Sequence, residues 1–216
     1  MSTPRPTVPA SLLPWLLVAG IVVVGAVVIT LTPAEATLGQ VVKVVFVHVA
    51  FSRAGAIGLY IAGLAGLAVL ARPSEQLVWW MQAVGWAGLI LFAIGFIVSG
   101  VAQMMSWGGI TLQEPRVAAG ANVLAVALIA QIAALWLPWP RVEAVLHILV
   151  AAFQAWVSLT TPNVLHPAGA ITSSTSGALR LSSAVLLLLA LLLGAWIVWM
   201  FRVYGPLRPA TPLDKT

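Results

Sequence analysis

The sequence predicts an all-α, polytopic integral membrane protein with six transmembrane helices in one bundle. Three observations lead there. Apolar residues fill 62% of the 216 positions, against roughly 45–50% in soluble domains. Runs of about 20 apolar residues recur along the whole chain, long enough to cross a bilayer core about 30 Å thick. Finally, Trp15, Trp79, Trp80, Trp136, Trp139, Trp196 and Trp199 would share one interface if six spans alternate in direction. Indole is stable at that level, where apolar tails meet wet headgroups.

The first span is expected over residues 12–31. Arg5, this apolar run and Ala34-Glu35-Ala36 imitate a cleavable secretory signal. The run is too long for a signal's hydrophobic region of about 7–15 residues, so it reads as a retained helix. A polar connection, TPAEATLGQ, follows. The second span covers 44–71 and ends at RPSEQ, where Pro73 cannot continue the hydrogen-bond ladder. The third covers 77–104, before a loop, SWGGITLQEPR, with two glycines and a proline. The fourth, 117–137, stops at PWPR. The fifth, 142–160, is followed by TPNVLHPAGAITSSTSG, whose serines and threonines from Thr172 to Ser176 include helix-capping candidates. The sixth covers 178–204, and the tail 205–216 is expected to be disordered. No internal repeat or second domain is visible, so residues 1–216 read as one transmembrane domain.

Charge orients the bundle. Arg5, Arg72, Arg141, Arg202, Arg208 and Lys215 fall on the tryptophan side, leaving Lys43, Arg53, Arg116 and Arg180 for the other. The positive-inside rule then makes both termini cytoplasmic, in a bacterial-type inner membrane. The net charge of +5 lies beside hydrophobic segments without any basic run, so nucleic acid is not an expected partner; the lipid bilayer is.

Several chemistries are excluded. With no cysteine, the chain cannot form disulfides, thiolate metal sites or a C-x-x-C-H haem attachment site. No paired carboxylates, Ser-His-Asp spacing or phosphate-binding glycine loop is present, so an enzyme is not expected. Glu35, Glu75 and Glu143 read as interfacial loop charges, and Glu114 with Arg116 as a solvated local ion pair. Inverted repeats and paired broken helices, which mark transporters, are lacking.

What remains is histidine. In KVVFVHVAFSR, residues 43–53, two cations and His48 interrupt an apolar run in a chain with only 7% charged residues. Alternating spans bring His48 to the same membrane face as His166, in the loop before the last helix. Two imidazoles from different segments suit the opposite faces of a metalloporphyrin, and Lys43, Arg53, Arg116 or Arg180 could meet its propionates. The other reading has His48 capping an interface and His166 sitting in a turn framed by Pro162 and Pro167. His147, alone in the fifth helix, reads as a hydrogen bond to a neighbouring helix, or else as a second haem or proton site. Small residues in AGAIGLYIAGLAGLA suit close helix packing, though they would also accommodate a flat ligand or a partner.

Three segments, in order, resemble the cytochrome c assembly family, specifically its CcmC-type haem-handling branch. KVVFVHVAFS is similar to that family's lysine, apolar run and Val-His-Val, with Ala50 in place of the following proline. WGGITLQEPR stands where the family has a tryptophan-rich W-G-x-x-W-x-W-D loop followed by Pro or Ala and Arg. NVLHPAGAI is similar to its Asn-x-Leu-His segment. The resemblance implies a haem b held without covalent bonds, with His48 and His166 as axial ligands of the iron. Trp107, Gly108, Pro115 and Arg116 match the loop's frame, Glu114 replaces its aspartate, and Lys43 matches the family's lysine; with Arg180, which the topology places on the same face, Lys43 and Arg116 are the expected haem-binding cations. Ile110, Thr111 and Gln113 stand where aromatics are expected, removing part of an apolar shelf. The implied function is haem binding and delivery at the outer membrane face in cytochrome c biogenesis, with other assembly subunits or a haem chaperone as partners. The alternative is an accessory subunit of a larger respiratory or photosynthetic membrane complex.

Overall fold

A computed structural model describes residues 12–166 and 174–205. The expected tail beyond Gly205, together with Arg5, Arg208, Lys215, Pro167, Thr172 and Ser173, lies outside the described residues. Among the described residues there are six helices and no strand: α1 Leu13–Leu31, α2 Val42–Ala71, α3 Glu75–Trp107, α4 Pro115–Trp136, α5 Pro140–Thr160 and α6 Gly177–Tyr204. All six are long and apolar enough to span a membrane, and the chain is a multi-pass helical membrane protein.

Local chemistry sets the ends. Ser74 opens α3 by accepting the Leu77 amide at 3.2 Å, and Ser176 opens α6 by accepting the Leu179 amide at 3.4 Å. Glu114 opens α4 with Pro115 behind it, because a residue before proline is held extended, as an N-cap needs. Trp107 ends α3 because Gly108 adopts φ 74°, a left-handed turn that favours glycine. The helix therefore runs three residues past the expected 104 and carries Trp107 with it.

Helix α2 lies at the centre and uses its small residues for packing. A Cβ on Gly55 would strike the Phe92 backbone, and one on Gly58 would come within 2.7 Å of Gly88 Cα, so α2 and α3 are nearly in backbone contact. On another face, Gly63 and Gly66 do the same against Ala151 and the Ala144 carbonyl of α5. The glycine stripe is thus consumed inside the bundle. Helix α1 is peripheral. It has no buried residue and leans on α6, with the Trp15 and Trp196 rings 5.6 Å apart.

That ring contact, and Arg202 lying 5.4 Å from the Trp79 ring centre, bring Trp15 beside Trp196 and Trp79 beside Arg202 of α6. Helices α2 and α3 are the longest, with 30 and 33 residues. At about 1.5 Å per residue they exceed the hydrocarbon thickness. The site is built where α2 begins and α3 ends.

Candidate functional site: a two-histidine cavity

A cavity of about 300 Å³ opens where α2 begins and α3 ends, within the lower range of small-molecule sites. Its walls come from segments far apart in sequence: the α1–α2 loop, the first turns of α2, the last turns of α3, and both ends of the α5–α6 connection. His48, Arg53, Trp107 and His166 all line it. The two histidines that topology alone was expected to bring together therefore share one cavity.

His48 is held by α3. Its Nδ1 lies 2.9 Å from the Gly95 carbonyl, with Ser52 Oγ 3.3 Å away. A carbonyl oxygen only accepts, so Nδ1 carries the proton and Nε2 keeps its lone pair. The bond depends on Gly95 having no side chain, since a Cβ there would approach the Ser52 backbone nitrogen at 2.6 Å.

His166 is held by a different device. Its Nδ1 lies 3.1 Å from Glu114 Oε1, an ion-pair distance, although the N–H is not aligned as a hydrogen bond. Its ring meets Trp107 edge to face, with centroids 5.4 Å apart at 84°. The Glu114 side chain is fully buried, while that of His166 is 35% exposed. Burial would raise the Glu114 pKa. The neighbouring His166, together with the Val117 and Leu165 amides, outweighs burial and holds the carboxyl below its ordinary value.

The remaining wall is mostly apolar, with a few polar groups that pair among themselves. Gln103 donates to Ser99 Oγ at 3.2 Å and accepts the Thr111 amide at 3.0 Å, tying the loop after α3 to its last turns. Glu35 accepts the amides of Thr37 and Leu38 at 2.8 and 2.7 Å, forming a tight turn at the cavity edge.

The other expected cations do not line the cavity. Lys43 reaches back to the Thr30 carbonyl at 3.3 Å, where it favours the negative end of α1. Arg116 is half-buried on the first turn of α4, and Arg180 is exposed on the first turn of α6. Of the four cations at this end, Arg53 is the one on the cavity wall.

Two carboxylates correct the sequence reading. Glu114 is 3% exposed and pairs with His166, not with Arg116 in solvent. Glu143 is no loop charge either: it is buried in the first turn of α5 and accepts from Gln82 Nε2 at 2.6 Å. The available signal for Glu114 was its place directly before a proline that starts a helix. Nothing in sequence singled out Glu143.

His147 stands apart from the cavity. It is buried, and its Nδ1 donates to the Glu143 carbonyl one turn back, at 2.9 Å. With Gln131 it lines a gap of about 10 Å³, roughly the space of a single water.

A bare metal ion is poorly served. No group of three histidine, aspartate or glutamate side chains converges on one point among the described residues. In sequence comparisons, the chain matches no family model and no curated protein.

Proposed function

We propose that the protein binds haem b non-covalently in this cavity, with His48 and His166 as axial ligands, and serves cytochrome c biogenesis by holding and delivering haem. The observation that carries this reading is the pairing of two distant histidines on one cavity, His48 with its Nδ1 donating to the Gly95 carbonyl and His166 with its Nδ1 3.1 Å from Glu114 Oε1. Fixing Nδ1 sets the tautomer and aims the Nε2 lone pair, as metal-binding histidines require.

The residues fit the group. His48 and His166 would hold the iron, Trp107 would offer an aromatic edge, and Arg53 would meet a propionate. When bound, haem supplies a redox-active iron and a prosthetic group for another protein. The chain's own part would be to hold the two imidazoles on either side of the group. The orientation proposed from the tryptophan belt and the cations puts the cavity at the outer face of a bacterial-type inner membrane, with both termini cytoplasmic. An assembly subunit or a haem chaperone would receive the cargo there.

The test is an absorption spectrum of the detergent-purified protein titrated with haemin. A saturable Soret band at one haem per chain is expected, and it should vanish in the His48→Ala, His166→Ala double variant. An unchanged band in that variant would remove the ligand assignment.

One observation favours the second reading, an accessory subunit of a larger respiratory or photosynthetic complex. Ile110 and Leu112, on the loop after α3, are 59% and 58% exposed, as a docking loop would be. Purification with stoichiometric membrane partners would favour this reading over delivery.

A further inference from the structure

The two histidines differ in what holds them. His48 belongs to a helix, so its backbone is fixed before any ligand arrives. His166 lies in a non-helical segment after α5, with no regular hydrogen-bond ladder of its own. A ligand on such a segment would cost ordering entropy on binding unless something fixed it in advance.

Glu114 is placed to do this. Pro115 holds the Glu114 backbone extended at φ −62° and ψ 126°. The side chain folds over the start of α4, and Oε2 accepts the Val117 amide at 2.9 Å. Oε1 has no hydrogen-bond partner of its own among the described residues and stands 3.1 Å from His166 Nδ1. The carboxylate therefore joins α4 to the 161–166 segment. Trp107, carried in by the last turn of α3, closes on the imidazole from another side.

We propose that Glu114 is a positioning residue: one buried carboxylate that both starts α4 and sets the orientation of the His166 imidazole before ligand binds. Its consequence for haem rests on the function proposed above, whereas the positioning itself belongs to the ligand-free chain. In metal sites, loss of such a supporting partner typically lowers affinity by about tenfold to a hundredfold.

Capping and positioning can be separated by length. Aspartate is a strong N-cap, so Glu114→Asp keeps the start of α4 while withdrawing the carboxylate by one methylene from His166. Glu114→Gln keeps the reach and removes the charge. Because the chain has no cysteine, Asn163→Cys on the exposed stretch before His166 gives a unique site for a nitroxide label.

The expected result is a more mobile label in both Glu114 variants than in the parent, without haem and with helix content unchanged. The Glu75→Gln control should leave mobility unaltered. With haemin, both Glu114 variants should bind about ten- to a hundredfold more weakly, with a shift from six-coordinate low-spin towards five-coordinate high-spin iron. An unchanged label spectrum in Glu114→Asp would overturn the proposal, whatever happens to haemin. Failure of the parent protein to bind haemin would overturn the haem reading instead, and the label would still decide the role of Glu114.

Discussion

The bundle contains two polar regions built around histidine, and they differ in space more than in chemistry. In the inner one, His147 donates to its own helix, and its Nε2 faces a gap of about 10 Å³ beside Gln131. In the outer one, His48 donates across to α3, and the space beyond is about thirtyfold larger. Both imidazoles have Nδ1 occupied and Nε2 free, so tautomer alone distinguishes neither. The bundle closes over His147 because α2, α3 and α5 meet through glycines there. It opens at His48 because the α1–α2 loop and the ends of the α5–α6 connection, rather than packed helices, cover the ends of α2 and α3 there. A histidine becomes a ligand candidate when the packing leaves room in front of its lone pair.

The largest effect should separate the two regions outright. Replacing His48 and His166 by alanine should abolish haemin binding, while His147→Ala should leave the titration curve in place. A binding loss in His147→Ala comparable to that of the double variant would erase the distinction.

Next come the glycines packed beside each histidine. Gly95→Ala drives a Cβ into the Ser52 backbone, which cannot move without separating α2 from α3. A loss of about 1–3 kcal/mol is expected from such overpacking, together with weaker haemin binding as the His48–Gly95 bond lengthens. Gly85→Ala meets the far ends of the Gln131 and His147 side chains instead. These ends can swing away, so its cost should be smaller. Unfolding in detergent, followed by helical circular dichroism, would rank the two variants.

Arg53→Ala should be milder still. An exposed charge pair is worth about 0.2–1 kcal/mol, or a few-fold at most in affinity. The loss should disappear with a haem dimethyl ester, which has no carboxylates to meet. Equal losses for haemin and its ester would assign Arg53 to packing.

Gln131→Leu should have the smallest effect. The Gln131 side-chain carbonyl oxygen is buried without a hydrogen-bond partner among the described residues, so the variant removes an unpaired polar atom. Stability within about 1 kcal/mol of the parent and unaltered haemin affinity are expected. A large destabilisation would show that the inner cluster holds the bundle together.

Much of this was legible in the sequence. The six helices follow from apolar runs punctuated by Pro73, Gly108, Pro115 and Pro140, and the boundaries moved by no more than three residues. The convergence of His48 and His166 follows from counting spans, since alternation fixes which loops share a face. What could not be read was rotation. Lipid accepts an apolar helix face all round, so these helices carry little amphipathic pattern to show which side turns inward. For that reason Glu143 and Glu114 looked like solvated charges, and Lys43 and Arg53 could not be told apart as cavity neighbours. Ten positions along α2, nearly three turns, separate Lys43 from Arg53, and only packing decides that the first turns towards α1.

The central claim is that two imidazoles from distant segments share one iron, and electron paramagnetic resonance of the ferric haemin complex tests it most directly. The account predicts a low-spin bis-imidazole signal at one haem per chain, converted to high-spin or lost when either His48 or His166 alone becomes alanine. A low-spin signal that survives both single substitutions, or no bound haem in the parent protein, would contradict it.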